Sequence, residues 1–256
     1  MKAALAVHRV TSNPDANLEA MVRLTREASD AGAHVILFSE AALTGFIGND
    51  DPQHDLPLAQ PIPGPATTRL ATVARERQLW IALGLYERAQ VAGHECLYDA
   101  AILLGPDGAI HLHYRRITPQ WHWPKADPTI YRQGTELPVA VTPFGTCAFL
   151  LCGDLFNEDV FNRLRQLRPD WLLFPFARHY DTEVADAAHW ERTERLHYAR
   201  QAHRAGVAAL MVNYLADSPA TGGCFGSALV IARDGTIRRS LPAGREGLLF
   251  ADLLSE

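Results

Sequence analysis

Several protein classes are excluded by what this chain has little of. Only four cysteines occur in 256 residues, and the nearest two, Cys147 and Cys152, do not form a CxxC pair. That is too few for a disulfide framework and the wrong spacing for a structural zinc. No apolar run is long enough to cross a bilayer, and the opening MKAALAVHRV is broken by His8 and Arg9, so neither a membrane span nor a secretory signal is expected. Basic residues are not in excess: 24 Lys and Arg face 29 Asp and Glu, for a net charge of −5, which argues against a nucleic-acid partner. The first strand is not followed by GxGxxG, so a dinucleotide site is not expected. Low-complexity tracts and long linkers are absent as well. The expectation is a soluble cytoplasmic protein with one domain over residues 1–256.

What is present is a hydrophobic share of 48% arranged in short periodic blocks. Ala3–Val7 and Val35–Phe38 read as buried strands. Between them, Asn13–Ala31 has helical spacing, with Asn13 or Asp15 as its cap and Gly32 beyond its end. A helix at Ala66–Arg77 and strands at Trp80–Tyr86, Leu97–Leu104 and Ala109–Tyr114 follow. The last two strands are turned by Gly105-Pro106-Asp107-Gly108. The second half repeats the scheme: strands Cys147–Leu151, Trp171–Pro175 and Val207–Asn213, helices Asp159–Leu167 and Asp186–Ala205, and a closing hairpin Ala228–Ala232/Thr236–Arg239. LLGPDGAI and VIARDGTI end the two halves alike. Continuous apolar strands imply sheets covered on both faces. The expected class is therefore α/β, with two halves meeting sheet to sheet in a four-layer α-β-β-α sandwich; one doubly wound sheet remains the alternative from pattern alone.

Two residues stand where strands end. Glu40 follows the strand in VILFSEAALTGF, at the carboxyl end where α/β sheets place their sites. Cys152 ends the strand in CAFLLCGDLFNED, where Gly153 suits a sharp turn that exposes a thiol and aims the next amide at a carbonyl oxygen. Taken alone, Glu40 reads more readily as a turn residue or helix cap, and Cys152 at least as readily as a buried apolar cysteine. Cys96, Cys147 and Cys224 have no comparable setting.

Together, VILFSEAALTGF, YRRITP (Tyr114–Pro119) and FLLCGDLFNE (Phe149–Glu158), in that order, resemble the nitrilase (carbon–nitrogen hydrolase) superfamily. GLYER, LYDAAILLGPDGAI, VNY and FGSALVIARDGTI extend the likeness over nearly the whole chain. The resemblance implies the four-layer nitrilase-type sandwich, commonly assembled as homodimers or larger oligomers. It also implies a cysteine-nucleophile hydrolase of small amides, before nitriles, working through a thioester without metal or organic cofactor. By it, Glu40 is the general base, Cys152 the nucleophile and Gly153 N–H an oxyanion donor.

Two departures from the family fall on expected site residues. Arg116 stands where the family has lysine; it keeps the charge but cannot donate and recover a proton. Asp127 stands near the place of a second glutamate. Lys125, two residues before it, is a substitute amine if it swings into the site. A catalytically impaired binding or regulatory protein is the alternative that Arg116 raises. Trp121-His122-Trp123 offers His122 and Trp123 as aromatic pocket walls, and His179 follows a strand on the same side. His111 and His113 share a strand face but lack a third ligand, so no metal site is expected.

Overall fold

Along Lys2–Val7 (β1), side chains alternate between two apolar clusters: Ala3, Leu5 and Val7 enter one, Ala4 and Ala6 the other. That alternation makes the layers. The second cluster lies under the helices Pro14–Asp30 (α1) and Pro65–Arg77 (α3), and the first is shared with the opposing sheet. Both faces of β1 are therefore buried, as its continuous apolar run requires.

The computed structural model describes residues 1–179 and 187–253. In the first half, β1 is followed by Arg9–Val10 (β2), α1, Val35–Leu37 (β3), Pro52–Leu58 (α2), α3, Trp80–Val91 (β4), His94–Leu104 (β5) and Ile110–Arg115 (β6). The second half runs Val139–Thr142 (β7), Gly145–Phe149 (β8), Glu158–Leu167 (α4), Trp171–Phe176 (β9), Ala187–His189 (α5), Arg195–Ala205 (α6), Ala208–Asn213 (β10), Leu215–Ala216 (β11), Ala228–Ile231 (β12), Ile237–Leu241 (β13) and Gly247–Asp252 (β14).

Two six-stranded sheets result, ordered β14-β1-β3-β4-β5-β6 and β13-β12-β10-β9-β8-β7. Read from opposite ends they have one pairing scheme. In each, three parallel neighbours (β1-β3-β4 and β8-β9-β10) are flanked by an antiparallel strand on one side and two on the other. The duplication suggested by LLGPDGAI and VIARDGTI is thus a duplication of sheet topology. The doubly wound single sheet is excluded, and the arrangement is the expected α-β-β-α sandwich.

Local chemistry accounts for most element ends. Asn13 caps α1, accepting from the amides of Asp15 and Ala16 at 3.0 and 3.1 Å, and Asn157 caps α4 in the same way. β4 and β5 are longer than expected because Ala92 and Gly93, both at positive φ, turn them into a hairpin. The edge strands β7 and β14 and the helix α2 escaped sequence reading: β7 is four residues between prolines, and α2 contains Pro57. The helix expected over Asp186–Ala205 starts outside the described residues, and Trp190–Glu194 within it is a π-helical turn that buries Trp190. Among the described residues no helix is long and apolar enough to cross a membrane.

Candidate active site

The carboxyl ends of β3 and β8 converge between the sheets. Just beyond β3, Glu40 is fully buried. A close backbone crossing holds it there: a Cβ on Gly84 of β4 would come within 2.6 Å of Glu40 Cα. Just beyond β8, Cys152 opens a tight 3-10 turn, Cys152–Phe156, and is itself at φ 41°. The unusual angle expected at Gly153 therefore falls on the nucleophile candidate. A side-chain-bearing residue held there costs about 1–3 kcal/mol, which the surrounding packing must offset.

Gly153 is small for another reason. A Cβ on it would lie 2.8 Å from Arg116 Nη2 and 3.6 Å from Gln120 Oε1. Arg116, at the end of β6, is 2% exposed and spreads its guanidinium through the site. Nη1 donates to Glu40 Oε1 at 3.0 Å and to Asp99 Oδ2 at 3.3 Å, and Nε donates to Thr118 Oγ1 at 3.1 Å. Nη2 is the remaining nitrogen, and it points to the turn that carries Cys152. Asp154 ties the two segments together: its carboxylate accepts from the Thr118 amide at 2.9 Å, the Leu151 amide at 3.2 Å and the Tyr114 hydroxyl at 2.5 Å. Sequence reading saw Asp154 only as a residue of the motif.

Two carboxyls thus share one cation in a dry site. Burial is the main reason that both Glu40 and Asp99 titrate above the ordinary carboxylate range; the Asp99 and Cys152 charges push Glu40 further, and Arg116 pulls the other way. Burial opposes the Arg116 charge, but Glu40, Cys152, Asp99 and Asp154 outweigh it and hold Arg116 cationic more firmly than usual. The Cys152 thiol, half-buried, lies 3.9 Å from the Ala177 carbonyl oxygen.

The other expected residues lie elsewhere. Asp127 is exposed and closes its own turn, accepting from the Thr129 amide at 2.8 Å and hydroxyl at 2.7 Å. Lys125 is exposed and has no polar partner among the described residues. Closeness in sequence to Arg116 did not bring either to Glu40, because Ala126 between them turns inward toward Trp121 and Tyr131 while both charged side chains stay exposed. His122 and Trp123, with Phe46, Gln120 and Trp121, line a cavity of about 540 Å³ that Gln120 joins to Gly153. His179 is exposed, and its backbone bridges to that of Cys224. His111 and His113 are each paired to an acid, Asp107 and Glu87, and no three metal-ligating side chains converge among the described residues. Asp99 was missed. Its signal was an acid in the middle of the apolar strand LYDAAILL, where a buried charge demands a partner.

A family model described as carbon–nitrogen hydrolase matches residues 2–256. The chain belongs to the carbon–nitrogen hydrolase family. Among the relatives of this hydrolase-family chain, human deaminated glutathione amidase is 31% identical over 198 residues, covering 73% of this chain and 58% of that one. A nitrilase from Pyrococcus abyssi is 34% identical over 110 residues, 40% of each chain. The chain thus spans little more than half the length of the curated amidases it matches. The fold is shared with a Helicobacter pylori carbon–nitrogen hydrolase at TM-score 0.82 and 17% identity, over 99% of this chain and 90% of the other. It is also shared with a mutant amidase from Nesterenkonia sp. AN1 in which acrylamide has added to the active-site cysteine. There the TM-score is 0.76 at 18% identity, over 100% and 96% of the two chains.

Proposed function

We propose that this member of the carbon–nitrogen hydrolase family is an amidase acting on a small non-peptide amide through a Cys152 thioester. The observation that carries the reading is Cys152 at positive φ on a turn whose Gly153 abuts the Arg116 guanidinium, with Glu40 held in the same buried cluster. Glu40 takes the thiol proton as sulfur bonds to the amide carbon. The oxygen that becomes anionic is met by the Gly153 N–H and Arg116 Nη2. Glu40 returns the proton to nitrogen, the C–N bond breaks, and ammonia or an amine leaves. Water, deprotonated by Glu40, then opens the thioester and frees the acid and the thiol. The aromatic cavity beside Gln120 receives the part of the substrate remote from the amide.

Arg116 favours a second reading, a binding protein of the same fold that has lost turnover, because a guanidinium so firmly charged gives up no proton. Intact-protein mass after brief incubation with a panel of small amides and nitriles separates the two. The amidase reading expects an acyl adduct on the wild type that is absent from Cys152→Ala. An adduct on Arg116→Lys alone supports the second reading. An adduct that survives Cys152→Ala removes Cys152 from its role.

A further inference from the structure

We propose that Asp99 is a positioning residue of this site: it and Glu40 grip the same nitrogen of Arg116, and the two carboxyls share one proton between their remaining oxygens. The inference rests on the amidase reading for its consequence but not for its geometry. Arg116 Nη1 lies 3.0 Å from Glu40 and 3.3 Å from Asp99, and all three side chains are at most 2% exposed. One oxygen of each carboxyl, Glu40 Oε2 and Asp99 Oδ1, is buried and has no donor when both groups are ionised. Because both carboxyls accept from one nitrogen, the two orphaned oxygens are held in the same dry cluster. A single proton satisfies both orphaned oxygens at once and leaves one negative charge against one guanidinium. Without it, two buried anions would face one cation, an arrangement that dry surroundings do not support.

This gives the substitution of arginine for lysine a structural context. A guanidinium nitrogen spans two acceptors while Nη2 stays directed at Gly153, so the second carboxylate enters from β5 instead of the loop that carries Asp127. In the reaction the pair starts with one proton. It takes a second from the Cys152 thiol as the S–C bond forms, and gives one to the departing nitrogen as the C–N bond breaks. Each half-reaction returns the pair to one proton. The other charged or titratable groups facing the pair are Cys152 and Asp154 from the turn after β8, Tyr86 from β4 and Tyr198 from α6.

The test is a carbon-13 NMR titration of carboxyl-labelled protein, with Glu40→Gln used to assign the Glu40 signal. In the wild type, Glu40 should titrate well above the ordinary carboxylate range. Asp99→Asn keeps the shape and removes the charge, and should move that titration down by about one unit or more. Asp99→Glu should keep it raised. On an amide that forms the adduct, Asp99→Asn should lower kcat more than it raises KM, with Asp99→Glu recovering part of the loss. An unchanged Glu40 titration in Asp99→Asn overturns the proposal, as does an ordinary Glu40 titration in the wild type. Absence of turnover on every amide would sink the amidase reading alone, because the titration needs none.

Discussion

Arg115 and Arg116 are neighbours at the end of β6, and they serve two acid clusters with opposite charge balance. Outside the sandwich, Glu87 is gripped by Arg115 at 2.6 and 2.8 Å and by His113 at 2.9 Å, while Arg115 stacks on Tyr98. Inside, Arg116 is the one cation paired with Glu40 and Asp99 among the described residues. Burial tends to raise all three acids. At Glu87, hydrogen bonds from Arg115 and His113 overcome it and hold the carboxyl below its ordinary range; at Glu40 and Asp99 burial wins. Burial does not decide the protonation state by itself. The balance of acids against hydrogen-bond donors does, and the last residue of β6 and the residue after it meet different balances. A structural clamp has donors to spare, and a base that must hold and release protons does not.

The largest expected difference is in stability. Arg116→Ala leaves two buried carboxyls without a cation and should lower the unfolding free energy by about 3–5 kcal/mol. Arg115→Ala leaves Glu87 with His113 and should cost about 1–2 kcal/mol. Urea denaturation of the two variants measures both, and equal losses would erase the distinction between the clusters.

The pH dependence should differ in sign. Glu87 has a lowered folded pKa, so its contribution is complete above the unfolded value and is lost as pH falls through the folded one. Glu40 has a raised folded pKa, so its contribution is complete below the unfolded value and is lost as pH rises through the folded one. Relative to the wild type, Glu87→Gln should therefore improve as the solution is acidified and Glu40→Gln as it is made alkaline. Unfolding free energies over a pH series would show two slopes of the same sign if the balance argument is wrong.

The smallest effects belong to the loop after Thr118. Lys125→Ala changes an exposed side chain outside both clusters and should alter stability by no more than about 0.5 kcal/mol, and Asp127→Ala, which also removes the two bonds to Thr129, should cost about 1 kcal/mol. Turnover of an adduct-forming amide should stay within about twofold. A tenfold loss in either variant would restore the roles that their motif positions suggested.

Much of the scaffold was legible because it follows from local periodicity. Continuous apolar strands, the Asn13 cap and the paired GPDG and RDG turns placed most of both sheets. Short elements without such a signal, β7 and α2 among them, were not. Strand ends and motif order singled out Glu40, Cys152 and Arg116, and the fold places Arg116 against both Glu40 and the Cys152–Gly153 turn. Asp127 was misleading because distance along a loop says little about where the loop goes once it leaves the core.

The sequence by itself determined most of the strands and helices, the two strand ends that carry an acid and a thiol, and the cation in the third motif segment, since each depends on a few neighbouring residues; the sheet-to-sheet layering was decided by the fold. Only the tertiary structure decided which carboxylate is second. Asp99 reaches Arg116 across the pairing of β5 with β6, where Ala100 lies opposite Arg115. That register, together with the close packing of β4 on Glu40, puts two acids on one guanidinium. Asp99 and Arg116 are 17 positions apart in one hairpin, but Glu40 is 76 positions from Arg116, and only the folded chain presses all three into one dry space.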